Sequence, residues 1–385
     1  MFTLTLHKVG QLTDARVTFG DLTVFVGPQA TGKSILFQFL KLMVDTGHVQ
    51  EELKRYGVDW SGSLPQFFDV YFGEGMSKIW CERRSAVSWK GKRIDMEGLV
   101  ARMRPKKEES LFFIPAQRVL ALRDGWPRPF TDYSPGDPFA VREFSEKLRL
   151  LVEQEFGGTE LVFPQERRLK REFRDLLERH VFGTFHLQVD KSRLQKRLVL
   201  GSNGEPLPYM VWSAGQREFV PLLLGLYWLM PPTKVSRRGA IEWVVLEELE
   251  MGLHSRAISV VMLMVFGLVA RGYRVCLSTH CPYVLEAVWM LRHLRENHAK
   301  ASDLLNVFGA PQTPPMRKLA ETVMQKDVKV FYFDRETGTT RDISELDPSS
   351  EESGEAGWGG LIEFSGRANA AVARAVANAS REGDA

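Results

Sequence analysis

Cysteine is scarce in this chain of 385 residues, which has only Cys81, Cys276 and Cys281. Their spacing fits neither a zinc site nor a disulfide framework, so a reducing, cytoplasmic setting is the natural expectation. Long apolar runs are missing as well. The two longest candidates, Phe219 to Met230 and Ala257 to Ala270, fall short of the roughly 18 to 20 apolar residues that a membrane span needs. Both read as buried helices of a soluble protein with no membrane partner. No secretory signal is expected at the start, where Met1 to His7 alternates like a strand and lacks a basic lead. Nor does one sign of charge dominate. The formal charge of +3 is too near neutral to imply a nucleic-acid partner by itself, although local basic runs can do so. No internal repeat is visible. What is present, 44% apolar and 26% charged residues, suits a globular chain with one large core or two modest ones.

Strands are expected over Phe2–Val9 and Ala15–Val26, broken around Gly10 and Gly20-Asp21. A helix is predicted from Lys33, because Ile35, Leu36, Phe39, Leu40 and Met43 recur on one face. Residues 50 to 110 are mixed and carry two basic patches, Lys90-Gly91-Lys92-Arg93 and Arg104-Pro105-Lys106-Lys107. Leu111-Phe112-Phe113-Ile114-Pro115 then reads as a buried strand. Pro, Gly and Asp predict a long loop over 123–138. Phe139 to His180 reads as helical and highly charged, and a short strand pair is predicted near Phe185–Val189 and Leu198–Leu200. From Trp212 to His280 helix and strand alternate, which is an α/β pattern. Asp347–Gly357 reads as a flexible acidic linker and Leu361–Ala379 as an Ala-rich helix.

Four elements carry chemistry. The first is Gly27-Pro28-Gln29-Ala30-Thr31-Gly32-Lys33-Ser34, which matches G-x-x-x-x-G-K-[ST] between the strand Thr23–Val26 and a helix. In such a loop successive backbone amides hold phosphate oxygens at the positive helix end. Lys33 would meet the β- and γ-phosphates of ATP, and Ser34 would complete a Mg²⁺ shell. The second is Val244-Val245-Leu246-Glu247-Glu248, an apolar strand ending in two carboxylates. Glu247 is assigned to the metal and Glu248 to the attacking water. The third, Trp212-Ser213-Ala214-Gly215-Gln216-Arg217, stands before an apolar helix, and by itself fits a plain N-cap equally well. The fourth, Cys276-Leu277-Ser278-Thr279-His280-Cys281-Pro282-Tyr283, ends a strand in a histidine that alone would more often be structural.

In order, these elements resemble the ABC-type ATPase heads of the SMC, recombination-repair and overcoming-lysogenisation group, and the small bacterial AAA-family ATPases built on that head. Ser213-Ala214-Gly215-Gln216 is similar to that group's Ser-Gly-Gly-Gln signature with one Gly-to-Ala change. Glu247-Glu248-Leu249-Glu250, followed by Leu253-His254, stands where the group has Asp-Glu-Pro-Glu and a Leu-His pair. Ser278 to Tyr283 is similar to the group's Ser-Thr-His-Ser-Pro switch, whose His meets the γ-phosphate. Ile114-Pro115-Ala116-Gln117-Arg118 resembles the stretch whose Gln approaches Mg²⁺ and the water; a structural Gln117 fits equally. The resemblance implies a mixed α/β head over 1–122 and 205–345. It also implies an inserted compact helical arm over 123–204 and a linker with an Ala-rich tail over 346–385.

It further implies Gly27, Gln29, Ala30, Thr31, Gly32, Lys33 and Ser34 on the nucleotide, Ser34, Glu247 and Gln117 on Mg²⁺, and Glu248 and His280 as catalytic residues. Two heads would close head to tail, with Ser213, Gly215 and Gln216 of one meeting the γ-phosphate held by the other. About 180 residues separate Lys33 from Ser213, too few for long coiled coils. The expected arm is locally basic at Arg167, Arg168, Lys170, Arg171, Lys191, Arg193, Lys196 and Arg197. That fits a solvated face, or a phosphate-backbone or protein-docking surface. Past His280 no nuclease-like carboxylate cluster is found, so a separate effector protein is the expected partner, as in anti-phage systems. A DNA-binding repair ATPase is the alternative.

Overall fold

The computed structural model describes residues 2–104, 108–156, 160–165, 168–191, 196–202, 205–230 and 237–383. Lys106, Lys107, Arg167 and Arg193, singled out above as basic, lie outside these residues.

Strands β1 (Phe2–Val9) and β2 (Leu12–Phe19) form an antiparallel hairpin turned at Gly10, where φ is 56°. After the break at Gly20-Asp21 comes β3 (Leu22–Val26), whose residues are all buried, and it enters a different sheet. Helices α1 (Lys33–Arg55) and α2 (Leu64–Tyr71), strands β4 (Ala86–Trp89) and β5 (Lys92–Ile94), α3 (Met96–Ala101) and β6 (Leu111–Ile114) follow. The predicted loop holds only the short pair β7 (Leu122–Arg123) and β8 (Trp126–Pro127) and a single 3-10 turn. Then come α4 (Phe139–Glu155), β9 (Leu161–Phe163), α5 (Arg171–Leu177), β10 (His186–Asp190), β11 (Arg197–Ser202) and β12 (Glu205–Leu207). The C-terminal half runs α6 (Ala214–Leu229), β13 (Trp243–Glu247), α7 (Ser255–Ala270), β14 (Arg274–Ser278), α8 (Pro282–Glu296), α9 (Ala301–Val307) and α10 (Pro314–Val323). It closes with β15 (Val328–Phe333), β16 (Thr340–Asp342), α11 (Ser353–Ala356) and α12 (Glu363–Gly383).

The central sheet has the order β16-β15-β3-β14-β13-β6, with β16 antiparallel and the others parallel. This is the expected mixed α/β architecture with flanking helices. Period-2 alternation splits its strands between two cores. Val24, Phe112, Ile114, Val244, Leu246, Val275, Leu277 and Val330 face one core, packed under α4, α6, α7, α8 and α10. Phe25, Leu111, Phe113, Trp243, Val245, Cys276, Phe331 and Phe333 face the other, under α1, α2 and the sheet β2-β1-β4-β5. Both faces are covered, so every residue of β3, β6 and β13 is buried.

The insert departs from the sequence expectation. Residues 139–180 are interrupted by β9, because Leu161-Val162-Phe163 has strand-like apolar character and no helical face. A four-stranded antiparallel sheet, β12-β11-β10-β9, stands where one short pair was expected. Val162, Leu187 and Leu198 share the core that holds Leu222, Val261 and Val244, so the insert is packed down on the sheet. The acidic stretch read as a flexible linker carries α11, and Trp358 just beyond it is buried with its Nε1 donating to the Leu346 carbonyl at 3.0 Å. An indole that size holds its flanking chain in place. Among the described residues, no helix is long and apolar enough to cross a membrane.

A buried charge network ties α1 to β6 and α4. Lys41 Nζ donates to Asp45 Oδ2 at 3.0 Å, Glu109 Oε1 at 2.8 Å and the Leu111 carbonyl at 2.6 Å, and lies 3.3 Å from Glu143 Oε2. Lys147 pairs with Glu109 and Glu143, and His48 Nε2 lies 2.7 Å from Glu143 Oε1. The two ammonium groups already occupy the space among these carboxylates that a metal ion would take.

Candidate active site

Five parallel strands put their carboxyl ends on one edge, which is where open α/β sheets bind ligands. The loop after β3 is Gly27–Ser34, the turn after β13 begins at Glu248, the turn after β14 holds Thr279 and His280, and the turn after β6 holds Ala116 to Arg118. Because β14 lies between β3 and β13, His280 stands between the loop and the acidic turn.

The loop is tightly built. Gly27 and Gly32 have φ of 138° and 95°, and a Cβ on either would meet the Phe333 carbonyl at 2.5 Å or Leu12 Cδ2 at 2.8 Å. The glycines are therefore required by the protein's own close packing, besides any phosphate. Lys33 is buried, and its Nζ donates to the carbonyls of Gly27 at 2.8 Å and Pro28 at 2.7 Å. Thr31 Oγ1 donates to the Pro28 carbonyl at 2.9 Å, while Gln29, Ala30 and Ser34 are exposed. Burial lowers the Lys33 ammonium pKa to about 8, opposed by Glu248 and Glu247 and reinforced by Arg335. A ligand carrying negative charge would restore the ammonium.

Glu247 ends β13 buried. Its Oε2 accepts from the Ala116 amide at 3.1 Å, and its Oε1 has no hydrogen-bond partner among the described residues. Burial raises its carboxyl pKa, opposed by the Ser34 hydroxyl and the Ala116 amide. A buried carboxylate oxygen with no donor, beside the loop serine, fits a divalent cation. Gln117 is exposed beside this point, and the neighbouring backbone amide of Ala116 is what meets Glu247.

Glu248 adopts φ 45°, uncommon for a residue with a side chain. Its amide donates to the Ser278 carbonyl at 3.0 Å, and its Oε1 lies 3.7 Å from His280 Nε2. Burial lowers the His280 pKa, reinforced by Lys33 and opposed by Glu248, so the imidazole is neutral at pH 7.

Sequence reading left three contributors without a role. Buried Arg118 donates from Nη1 to the Glu247 carbonyl at 2.9 Å, from Nη2 to the Glu248 carbonyl at 3.0 Å, and from Nε to the Glu218 carbonyl at 3.1 Å. Glu250 Oε1 accepts from Thr279 Oγ1 at 2.9 Å and from the His280 amide at 2.6 Å, tying the acidic turn to the histidine turn. Arg335, at the tip of the β15–β16 hairpin, donates to the Gln29 carbonyl at 2.6 Å. An Arg directly after the quoted Gln117 was the only sequence hint of the first, and nothing linear announces the third.

The Ser213–Gln216 motif is a capping box on α6. Ser213 Oγ accepts from the Gln216 amide at 3.3 Å, and Gln216 Oε1 accepts from the Ser213 amide at 2.9 Å. Gly215 lies against Gly252 in the turn after β13, where a Cβ would meet the Gly252 carbonyl at 2.4 Å. Among the described residues, no hydrogen bond joins this motif to Gly27–Ser34. Ser213 faces outward with Met210 and Val211, which are 68% and 62% exposed.

A family model described as "AAA domain, putative AbiEii toxin, Type IV TA system" matches residues 130–286, the span that holds the capping motif, Glu247-Glu248 and His280. Residues 130–286 are thus similar to an AAA domain. No curated protein matches this chain. Among solved structures it is similar to an SMC head bound to the C-terminal winged-helix domain of ScpA, at 10% identity and TM-score 0.40, over 88% of this chain and 96% of that one. It is similar also to the SMC head domain from Thermotoga maritima, at 12% identity and TM-score 0.32, over 74% and 90%. The ADP conformation of an ABC-transporter cassette matches at 15% identity and TM-score 0.28, over 73% and 82%.

Proposed function

We propose that the chain hydrolyses ATP as a nucleotide-driven switch that holds and releases a separate effector protein. The observation that supports the chemistry is the convergence of Lys33, Glu247, Glu248 and His280 on one sheet edge, with Glu247 Oε1 left without a donor among the described residues. Ser34 and Glu247 would hold Mg²⁺, with Gln117 beside them. The ion, when bound, neutralises charge on the phosphates. The loop amides and Lys33 bind the triphosphate. Glu248 orients and deprotonates the attacking water, and neutral His280 bonds the γ-phosphate.

In this reading the outward-facing Ser213, Gly215 and Gln216 complete the site of a second copy head to tail, and exposed Met210 and Val211 flank that contact. ATP then joins two heads, and hydrolysis parts them. The matched family's description, a putative toxin of a type IV toxin–antitoxin system, supports placing the switch in a toxin–antitoxin-like pair, and the anti-phage role belongs to this proposal. The insert's charges favour a protein partner over DNA, since Arg168, Arg171 and Arg197 are paired with Glu155, Asp175 and Asp190.

The test is a pair of variants followed by ATPase assay and light scattering. Lys33→Ala is expected to lose ATP binding. Glu248→Gln is expected to bind ATP, to hydrolyse it at least ~100-fold more slowly, and to accumulate as an ATP-dependent dimer. Hydrolysis by Glu248→Gln at the unmodified rate would remove the catalytic assignment.

A further inference from the structure

Trp358 forms one wall of an apolar groove of about 440 Å³, which α7 lines with Ile258 and Met262, α8 with Tyr283 and Met290, and the end of α9 with Val307. Tyr283 and Val307 are exposed, and exposed Glu286 also borders the groove. Ile258 and Tyr283 stand in the first turns of α7 and α8, so the groove opens near the ATP edge, with Tyr283 three residues past His280. Beyond Trp358 the chain turns into α12. Trp358, Gly359 and Gly360 have φ of 50°, 67° and 87°, and a Cβ on Gly359 would meet Val26 Cγ2 at 2.8 Å. The turn is therefore packed against the end of β3 and fixes the direction in which α12 leaves. Along α12, Phe364, Ala368, Ala371, Val372 and Ala375 recur on one face. Phe364 is 75% exposed and Val372 62%. An isolated helix is marginal in water, and an amphipathic one gains its stability by packing its apolar face.

We propose that the groove receives α12 of a second copy of this chain, and that two copies exchange these helices reciprocally. Phe364 is the anchor that enters the groove, and the smaller side chains of the stripe let the helix lie close against α7 and α8. Arg367 and Arg374, seven residues apart, border one side of the stripe, and Glu286 meets that side with the opposite charge. The 21 residues of α12 span about 31 Å, enough to reach a neighbouring molecule. The chain's own helix is not the occupant, because the packed turn after Trp358 carries it off with the stripe exposed. Under a twofold axis each copy gives one helix and receives one, which doubles the seat.

The exchange deepens the reading of two paired heads and rests on it for the second copy, but it needs no nucleotide. Because the groove begins at the first turn of α8, directly after His280, the exchanged helix stays beside the nucleotide edge. It keeps the two copies together between rounds of hydrolysis, when ATP no longer joins them.

The test is sedimentation of the full chain without nucleotide over a range of concentrations. The unmodified chain is expected to form a concentration-dependent dimer. Phe364→Asp spoils the helix and Val307→Asp spoils the groove, both at exposed positions, and each is expected to weaken the dimer at least ~tenfold with the thermal melt unchanged. An equimolar mixture of the two variants is expected to associate more tightly than either alone, since it pairs one intact helix with one intact groove. Lys33→Ala is expected to dimerise like the unmodified chain, so the helix exchange and the ATP-dependent pairing can fail separately. A single-chain mass at every concentration would overturn the proposal, whether α12 folds onto its own groove or the groove serves another protein. A dimer that survives both substitutions would also overturn it, as would two variants that do not complement each other.

Discussion

Arg118 Nη2 donates to the Glu248 carbonyl at 3.0 Å from a fully buried position, and the residue it holds has φ 45°. The same guanidinium holds the carbonyls of Glu247 and Glu218, so the base of the acidic turn and the first turn of α6 share one anchor. A left-handed residue with a side chain persists where its surroundings over-determine it. Arg118 does so with a planar fork that a lysine cannot reproduce. Arg118→Lys is expected to lower kcat for ATP hydrolysis by ~10- to 100-fold with KM changed less than about threefold, since small misplacements of a catalytic group cost that much. Steady-state kinetics on the variant check this, and an unchanged kcat would leave Arg118 a purely structural residue.

On the proposed reading, Lys33 links ATP binding to protons. Its pKa of about 8 in the free protein means that the ammonium is largely lost by about pH 9, while the bound triphosphate favours the charged form. Binding is therefore expected to take up close to one proton near pH 9 and almost none near pH 7. Calorimetry in buffers of different ionisation enthalpy measures this number directly. Proton release near pH 9 would contradict the assignment.

On the proposed reading, the neutral state of His280 sets the acid limb of activity. Its pKa lies below 6.5, chiefly through burial, so activity is expected to hold steady down to the ordinary histidine range and to fall only below it. His280→Gln should be slow throughout and lack that limb. Glu250→Ala removes the acceptor for the Thr279 hydroxyl and the His280 amide, and is expected to lower kcat about tenfold. A pH–rate profile of all three proteins decides.

The Lys41 network is a stability device. Burial pushes the Glu143 carboxyl pKa up, but Lys147, Lys41 and His48 hold it well below the usual carboxylate range. A depressed carboxylate contributes stability above its unfolded pKa of about 4.3 and loses it as the pH falls through the folded value. Lys41→Met leaves Asp45 and Glu109 short of a partner as well, and is expected to cost about 3–5 kcal/mol at pH 7. The gap between variant and parent should narrow toward about pH 3, as denaturant melts at the two pH values would reveal.

Much of the head was legible because local chemistry dictates it. A strand, a glycine-bearing loop and a helix with Lys33 and Ser34 at its start form a contiguous unit, and so do β13 with Glu247-Glu248 and β14 with His280. The insert was misread because charged residues on its helices outweighed the short apolar run of β9, whose partner β10 begins more than twenty residues later. The linker was misread because its acidic composition says nothing of the single Trp358 that docks it.

The sequence by itself determined the chemistry on offer: which side chains can hold phosphate, cation and water, and in what order along the chain. Only the tertiary structure decided their arrangement. Strand order, fixed by burying both faces of a parallel sheet, sets β14 between β3 and β13 and so puts His280 beside both Lys33 and Glu248. The contacts of Arg118 and Arg335 depend on surfaces that meet only after that burial, and no spacing along the chain encodes them.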